Sequence, residues 1–543
     1  MRLACALVVL ALCAAEHVQV RKLEDAALEG GGAWNAASAL ARHKRHKRGV
    51  LRREHAATGG RQGAGTTSLL SGAAAKLPGG PGLRWLSPLT RAWLGKLRAQ
   101  MGKLRPMGEG YPFLKLADRM WARYAEITHD FMTRMRKVEQ SVEALPVRTD
   151  SSMFLSVASY RDRHGLDDND ANPRIPHAKL GMCSNSIVSA YKFAKHPERL
   201  FVGIVDQACR GIGEKCWTGV YRQSICKQSV LPDRDCAAEA CAHPAVAKYC
   251  ARGQVRGVEL QENDAMGPMV ARWIASQLWR GENYFLQIDA HSVFGDAWDD
   301  RMIADLRAAP NPKAIISTYP PDDKVGDEDR FFQHTPGTRI CGSMFSKTDD
   351  NIIRLEAGQA WESAAPTKPK NACFVAAGFF VANSAFLKDS PYDPYLPWAF
   401  MGEEILQSAR VWTKGWDIYS PTQNAIAHQY TVDGVPRFWE TLNRMYGAPG
   451  IHNSVAPLAL RRIMHILGWP DYKTAGQVHP KSMLFEINHY GIDLQAAADR
   501  KRPLQSYMLM SGIHIKEQRT ETPAWCTGGT VPANCRGADG ICH

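Results

Sequence analysis

Two side chains that can bind a metal follow a mostly apolar run near the middle of the chain. The run Tyr284 to Ile288 has the composition of a buried strand, and Asp289 and His291 come directly after it. Residues i and i+2 of a strand share one face, so both side chains should converge beyond the strand's carboxyl end. A carboxylate with an imidazole suits Mn²⁺ better than Mg²⁺, which prefers oxygen ligands. The spacing therefore predicts part of a divalent-cation site.

Strands and helices alternate around this segment. The predicted strands are 153–159, 200–205, 255–260, 284–289 and 313–320, and the predicted helices are 178–195, 267–279 and 298–308. This alternation is typical of an α/β fold with a mostly parallel sheet flanked by helices, in which ligands bind beyond the carboxyl ends of the strands. The sequences SYRD (159–162) and DAH (289–291) both lie at such ends.

Charge and hydropathy set the N-terminal part apart from the rest of the 543 residues. Residues 1–110 contain 18 Lys and Arg against 6 Asp and Glu, whereas the remainder contains 49 against 48. The basic character therefore gives no support for a nucleic-acid-binding core. Residues 1–15 resemble a signal peptide, with a short signal anchor as the alternative, and we expect membrane association only in the second case. The composition of residues 16–110 predicts a flexible basic stem.

A helical stripe precedes the predicted sheet. Its apolar residues step by three and four, which predicts an amphipathic helix within 111–146; they are Met120, Tyr124, Ile127, Phe131, Met135, Val138 and Val142. We expect this helix to pack on the domain that follows, with a short coiled coil in trans as the alternative. The domain itself is predicted to span 150–445, and 446–543 forms a C-terminal extension.

Cysteines are concentrated in a short segment. Excluding the two within the predicted signal, twelve remain, and six lie within 206–252: Cys209, Cys216, Cys226, Cys236, Cys241 and Cys250. In an oxidising compartment this density predicts a disulfide-rich insert, whose pairing the sequence does not determine. A zinc site is the alternative, but no CxxC pair or Cys/His quartet has the usual ligand spacing.

Several segments together resemble one enzyme family. The sequences LSVASYRD, GPMVARWIASQLWRGENYFLQIDAH, AAGFFVANSAFLKDSPYDPYLPWAFMGEEILQSARVWTKGWDIYSP and HQYTVDGVPRFWE occur in that order between 150 and 445. They resemble the transferases that attach N-acetylglucosamine to hydroxyproline, serine or threonine of polypeptides and, more distantly, the polypeptide GalNAc-transferases. The resemblance implies a GT-A nucleotide-sugar fold, a UDP-sugar donor, a divalent cation (usually Mn²⁺) and retention of anomeric configuration.

The resemblance assigns metal and donor roles to individual residues. Asp289 and His291 match the metal motif in an Asp-x-His form, and His428 matches a third ligand from late in the chain. Arg272 matches an arginine that reaches the donor diphosphate, for which a guanidinium is well suited. Further donor contacts are expected from Ser159, Tyr160, Arg161, Asp162 and Gly378, with Gly378 allowing the backbone to approach the sugar. An ordinary packed or solvent-facing role is the alternative for each.

Acidic and aromatic residues complete the predicted site. Glu403 and Glu404 match a motif near the reacting sugar, and the resemblance gives both a catalytic role together with Arg272. Acidic residues in the first turn of a helix also stabilise it without any catalytic role. Acceptor contacts are expected from Trp398, Phe400 and Trp412, with core packing as the alternative. The acidic loop RDRHGLDDNDANP and the cysteine-rich insert match no family motif.

The predicted function is a Mn²⁺-dependent, retaining transfer of GlcNAc from UDP-GlcNAc to a hydroxyl of a polypeptide or glycan in the secretory pathway. The alternatives are transfer of another sugar from UDP (GalNAc or glucose) and a transferase-like binding protein without turnover. A metal-dependent hydrolase is a third possibility, but it would need a second metal cluster or a carboxylate pair around water. No nucleic-acid partner is expected.

Overall fold

The computed structural model describes residues 83–105, 112–137, 142–161, 180–209, 233–322, 336–430, 437–448, 450–470 and 501–537. Eight strands form its main sheet in the order β3-β2-β1-β4-β10-β6-β11-β9. In chain order these strands are β1 Met153–Tyr160, β2 Leu200–Ala208, β3 Val255–Gln261, β4 Tyr284–Asp289, β6 Ala314–Ser317, β9 Lys370–Asn371, β10 Phe379–Asn383 and β11 Asp417–Ser420. Short two-stranded pairs join β5 Ser292–Phe294 to β12 Ile426–His428, β7 Ser343–Phe345 to β8 Ile353–Leu355, and β13 Ile513–His514 to β14 Arg519–Thr520.

Strand direction explains how distant parts of the chain meet at one edge of the main sheet. Strands β3, β2, β1 and β4 are parallel to one another, and β6 and β11 run in the same direction. Strand β10 lies antiparallel between β4 and β6, so its amino end lies beside their carboxyl ends. The predicted α/β fold with a mostly parallel sheet is thereby confirmed. The residues that precede β10 therefore lie beside the residues that follow β4 and β6.

Helices cover both faces of the sheet. In chain order they are α1 Pro88–Leu104, α2 Phe113–Lys137, α3 Met182–Phe193, α4 Cys236–Ala242, α5 Pro244–Ala251, α6 Pro268–Ser276, α7 Trp298–Ala308, α8 Phe386–Asp389, α9 Glu403–Thr413, α10 Phe438–Met445, α11 Ile451–Ile466, α12 Leu504–Met510 and α13 Trp525–Gly528. Successive strand residues point to opposite faces. Accordingly, Phe285 of β4 packs in one hydrophobic core and its neighbour Leu286 packs in the other.

The N-terminal helices pack against the sheet domain. In α2 the predicted stripe is buried from Met120 to Met135, as expected for a helix that packs on the following domain. Within the predicted stem, residues 88–104 form α1, in which the indole ring of Trp93 is buried and contacts Phe131 and Trp273. Leu97 is also buried. The basic residues of α1 made its apolar periodicity difficult to recognise in the sequence.

The described C-terminal residues belong to the same compact unit as the main sheet. Helix α11 supplies core residues, and Trp412 of α9 donates its indole N–H to Ser506 Oγ at 3.0 Å. A disulfide between Cys341 and Cys526 fastens α13 to the segment before β7. The proposed boundary at 445/446 therefore separates no independent core among the described residues.

Disulfides are present, as the sequence predicted. Cys241 pairs with Cys250 within the insert, whereas Cys236 pairs with Cys183 of α3, which ties the insert to the main domain. Cys216 and Cys226 lie outside the described residues, as do the predicted signal and most of the stem. None of the described helices combines the length and low charge that a membrane span requires.

Candidate active site

Asp289 is the centre of a polar cluster at the carboxyl edge of the sheet. It is the last residue of β4, and its side chain is 31% exposed. Oδ1 accepts a hydrogen bond from Arg272 Nη2 at 2.7 Å, and Oδ2 lies 3.2 Å from His428 Nε2. Burial alone would raise the pKa of Asp289, but the contact with His428 and the charge of Arg272 hold the pKa well below its usual value. Asp289 is therefore an anion at any physiological pH.

Two histidines complete this cluster. His291 follows β4, His428 ends β12, and their ring centroids lie 4.5 Å apart. Partial burial, followed by the positive charges near it, lowers the pKa of His291 to about 4, so its imidazole is neutral at pH 7. The pairing of β12 with β5 brings residue 428 beside a strand more than 130 residues earlier.

The ligand set fits a divalent cation such as Mn²⁺. One ligand atom each from Asp289, His291 and His428 lies within 4.8 Å of the other two, a spacing that one ion can bridge. One carboxylate and two imidazoles form the mixed oxygen and nitrogen set that transition metals favour. His428 Nδ1 is buried and has no hydrogen-bond partner among the described residues.

Arg272 links this cluster to Glu403. It lies on α6, where it is 7% exposed, and its Nη1 donates to Glu403 Oε2 while Nη2 donates to Asp289. Burial opposes its charge, yet both carboxylates raise the pKa of Arg272 above its usual value. Burial also raises the pKa of Glu403, against the effect of Arg272. A single guanidinium thus bridges two carboxylates at this edge of the sheet.

Two glycines allow the backbone to reach this edge. Gly378 lies immediately before β10, and a Cβ there would stand 3.1 Å from Asp289 Oδ2. Gly402 caps α9 with φ +93°, and a Cβ there would stand 2.8 Å from Ile463 Cδ1. The second contact explains how α9 begins against α11 and presents Glu403 and Glu404 to the cluster.

The residues at the end of β1 contact other parts of the protein. Arg161 has an unexposed side chain whose Nε donates to Asp233 Oδ2 at 2.5 Å and whose Nη1 donates to Glu262. The structure thus places its guanidinium in a buried ion network, and a contact of Arg161 with the donor stays a prediction. Tyr160 donates its hydroxyl to Thr441 Oγ1 of α10 at 2.6 Å.

Ser159 and Asp162 are the other two residues of the SYRD sequence at the end of β1. Ser159 is buried, and its carbonyl accepts a hydrogen bond from Gln207 Nε2 at 3.2 Å. Asp162 and the acidic loop after it lie outside the described residues. The structure therefore places Ser159 and Tyr160 at the sheet edge without assigning them a ligand.

The predicted aromatic acceptor residues separate into buried and exposed groups. Trp398 and Trp412 are 2% and 1% exposed and pack in the hydrophobic core, which was the alternative for both. Phe400 is 47% exposed, and its ring lies 5.4 Å from that of Trp439 in an edge-to-face arrangement. The buried indole of Trp398 anchors the short segment that presents Phe400 next to α9.

Sequence reasoning overlooked three polar residues that organise the cluster. Tyr319 follows β6 and donates to Glu404 Oε1 at 2.7 Å, and Tyr430 stacks its ring 4.3 Å from that of His428. Gln287 of β4 donates to the carbonyl of Ala377 at 2.5 Å. Tyr319 follows an apolar strand, as Asp289 does. The signal that identified Asp289 could therefore also have identified Tyr319.

A second cluster of possible metal ligands consists of three buried cysteines. The sulfur atoms of Cys341, Cys373 and Cys526 lie within 4.8 Å of one another. Cys341 and Cys526 form a disulfide, and Cys373 is a free thiol 3.6 Å from Cys526 Sγ. Since a disulfide removes two of the three thiolates that a metal would need, this cluster is structural.

The fold and this edge define an α/β protein built for a charged ligand at the carboxyl ends of its strands. A family model described as Glycosyltransferase (GlcNAc) matches residues 179–515, which is more than half of the chain. The chain belongs to this glycosyltransferase family. The match covers every member of the Asp289 cluster as well as Glu403 and Glu404.

Solved glycosyltransferases resemble this chain only distantly. A structure of GalNAc-T7 with UDP, GalNAc and Mn²⁺ aligns with 12% identity and a TM-score of 0.39, covering 70% of this chain. The alignment covers 64% of GalNAc-T7, less than two thirds of its length. A structure of S. aureus TarS 1–349 aligns with 13% identity and a TM-score of 0.27, covering 64% of this chain and 81% of that one. No curated protein matches the sequence.

Proposed function

We propose that this glycosyltransferase transfers GlcNAc from UDP-GlcNAc to a hydroxyl of a polypeptide or glycan, with retention of configuration and dependence on a divalent cation such as Mn²⁺. The observation that carries the proposal is the convergence of Asp289, His291 and His428 within 4.8 Å. They converge at the sheet edge where α/β folds bind ligands. Membership of a GlcNAc glycosyltransferase family supports the choice of sugar.

Different residues of the chain would bind different parts of the donor. A divalent cation, when bound, would offset the charge that develops on the departing diphosphate. Asp289, His291 and His428 would hold that cation, and Arg272 would turn from its carboxylate partners towards phosphate oxygens. Gly378 leaves space for the sugar beside Asp289, and Ser159 and Tyr160 form the strand end expected to contact the nucleoside.

The acceptor hydroxyl would attack the anomeric carbon from the face that UDP leaves. The carbon–oxygen bond to the phosphate breaks as the new glycosidic bond forms, and the proton of the hydroxyl passes to the departing phosphate. This route needs no separate catalytic base. Glu403, held beside Arg272, would orient the sugar.

The exposed ring of Phe400, packed edge-to-face on the half-buried Trp439, supports an extended acceptor. Aromatic faces and edges can pack against both sugars and apolar side chains. These rings lie next to α9, which carries Glu403. We assign the acceptor to this side of the site. The three described disulfides support residence in an oxidising, secretory compartment.

A donor screen on the purified full chain tests the proposal. UDP-GlcNAc, UDP-GalNAc, UDP-glucose, a GDP-sugar and a CMP-sugar are compared with and without Mn²⁺, and release of the nucleotide is measured. We expect Mn²⁺-dependent release from UDP-GlcNAc, increased by peptides containing hydroxyproline, serine or threonine. NMR of the product then reports its anomeric configuration. Preference for a GDP- or CMP-sugar would overturn the donor assignment, and UDP binding without turnover would favour a binding protein.

A further inference from the structure

Tyr319 connects two parts of the site that belong to different strands. It follows β6, and its hydroxyl donates to Glu404 Oε1 at 2.7 Å. The same carboxylate oxygen accepts the backbone N–H of Ala377 at 3.0 Å. Burial, followed by the charge of Glu404, raises the pKa of Tyr319 far above its usual value, so the phenol stays protonated and acts as a donor.

Glu404 in turn fixes the turn that precedes β10. The N–H of Ala376 donates to Ser317 Oγ at 2.8 Å, and the carbonyl of Ala377 accepts from Gln287. The carbonyl of Gly378 accepts the N–H of Asp289 at 3.1 Å. Any displacement of Ala377 is therefore transmitted through one residue to the backbone of the central metal-ligand candidate.

The short segment that contains Tyr319 also holds the other side of the cluster. The carbonyl of Pro321 accepts the N–H of His428 at 2.8 Å, and the carbonyl of Pro320 accepts the Tyr430 hydroxyl at 2.5 Å. Residues 319–321 thus contact the backbone of His428 through main-chain atoms and reach Glu404 through a side chain.

We propose that Tyr319 is a positioning residue of the donor site, which holds Glu404 so that the turn at Ala377 and Gly378 keeps Asp289 in register with His428. The inference rests on the proposed function, and it changes the predicted role of Glu404 from catalysis to support. A carboxylate that receives two hydrogen bonds on one oxygen, one of them from the backbone, is placed to hold a turn. Such hydrogen bonds are costly to break when the charged group is buried.

Three variants separate positioning from proton transfer. Tyr319→Phe keeps the ring and removes the hydroxyl, and we expect kcat/KM for the donor to fall roughly 10- to 100-fold. The loss should fall mainly on the KM for donor and on the Mn²⁺ concentration for half-maximal rate. Glu404→Gln keeps an oxygen that can accept both hydrogen bonds, so we expect a loss below about tenfold. Glu404→Ala should lose about as much as Tyr319→Phe or more.

Tyr191→Phe is the matched control. It removes another buried tyrosine hydroxyl, which donates to the carbonyl of Leu200 at 3.1 Å in the opposite core. We expect Tyr191→Phe to lose about as much thermal stability as Tyr319→Phe. Its kcat/KM should stay at the parental value. Parental kinetics in Tyr319→Phe would overturn the inference, as would a loss of roughly 10²- to 10⁴-fold in Glu404→Gln, the range expected for a missing general base.

Direct binding separates this inference from the proposed function. Calorimetric titration of UDP in the presence of Mn²⁺ is run on the parent and on Tyr319→Phe. If the parent neither binds UDP nor turns over a UDP-sugar, the proposed function fails. If the parent binds and Tyr319→Phe binds equally well, only the positioning role of Tyr319 fails.

Discussion

Arg272 and Asp289 form a salt bridge of 2.7 Å at the point where β4 ends, although they lie on different elements. Glu403 contacts the other side of the same guanidinium. In this arrangement one guanidinium bridges two carboxylates. A diphosphate with its cation would replace part of this pairing, because the cation compensates Asp289 and the phosphates compensate Arg272.

Removal of the Asp289 charge should abolish most turnover without unfolding the protein. For Asp289→Asn we expect donor turnover to fall roughly 10²- to 10⁴-fold, which corresponds to about 3–5 kcal/mol of transition-state stabilisation. Because Arg272 and His428 stabilise the ionised Asp289 in the folded protein, the variant should also melt at a lower temperature, although Arg272 keeps Glu403 as a partner. The measurement is Mn²⁺-dependent nucleotide release beside a thermal melt.

The control for Asp289 is a buried acid outside the Asp289 cluster. Asp299→Asn alters a carboxylate that accepts the backbone N–H groups of Lys195 and His196. We expect this variant to lose stability and to keep the parental turnover per folded molecule. If Asp289→Asn kept near-parental turnover, the metal assignment would be wrong.

The two histidines should differ in their effect on folding. His428 is 6% exposed and packs between His291 and Tyr430, so His428→Ala leaves a cavity and should lower the melting temperature. His291 is less buried, and His291→Ala should melt close to the parent. We expect both variants to weaken Mn²⁺-dependent turnover. His291→Ala should lose at least as much turnover as His428→Ala, since water can replace a ligand at position 428. Equal activity of both variants and the parent would contradict a ligand role.

Periodicity and strand ends predicted five of the eight strands of the main sheet, three of the helices between them and the Asp289 edge. Asp289 could be predicted because a polar residue after an apolar strand is a local signal. The pairing of His428 with Asp289 depends on β12 joining β5, which no local pattern encodes. Its assignment from sequence came from the family resemblance alone.

Three of the predicted ligand contacts fall on side chains that the structure buries. Arg161, Trp398 and Trp412 have residue types suited to ligands, but their burial depends on partners distant in sequence. Arg161 is neutralised by Asp233 and Glu262, which lie 72 and 101 residues away. Residue type reports what a side chain can do, whereas tertiary packing decides whether it faces a ligand or the core.

The buried carboxylate of Asp305 should make stability depend on pH. Burial raises the pKa of Asp305 from 3.8 to about 6, against hydrogen bonds from Thr422. Because the folded-state pKa exceeds the unfolded one, the folded protein binds more protons between these values, and its stability falls as pH rises from about 4 to about 6. Above that window the ionised group costs up to about 3 kcal/mol.

Asp305→Asn should remove this pH dependence. The amide oxygen can still accept a hydrogen bond from Thr422, so we expect the variant to be more stable than the parent at pH 8 and to lose this advantage near pH 4. Urea denaturation at both pH values measures the difference in the free energy of unfolding. A parent that gains stability relative to Asp305→Asn as pH rises would contradict the raised pKa.

Cys373 should be a protected thiol in the folded protein and a reactive one after unfolding. It is fully buried, and burial raises the pKa of its thiol well above the usual value, so the nucleophilic thiolate is scarce. We expect N-ethylmaleimide to leave Cys373 unlabelled in the native protein and to label it after denaturation without reductant at mildly acidic pH, which limits disulfide exchange. Mass spectrometry should find Cys341 and Cys526 unlabelled in the same sample, and Cys373→Ser should remove the signal at this position. Labelled Cys341 together with protected Cys373 would instead mean that Cys526 pairs with Cys373, its neighbour at 3.6 Å.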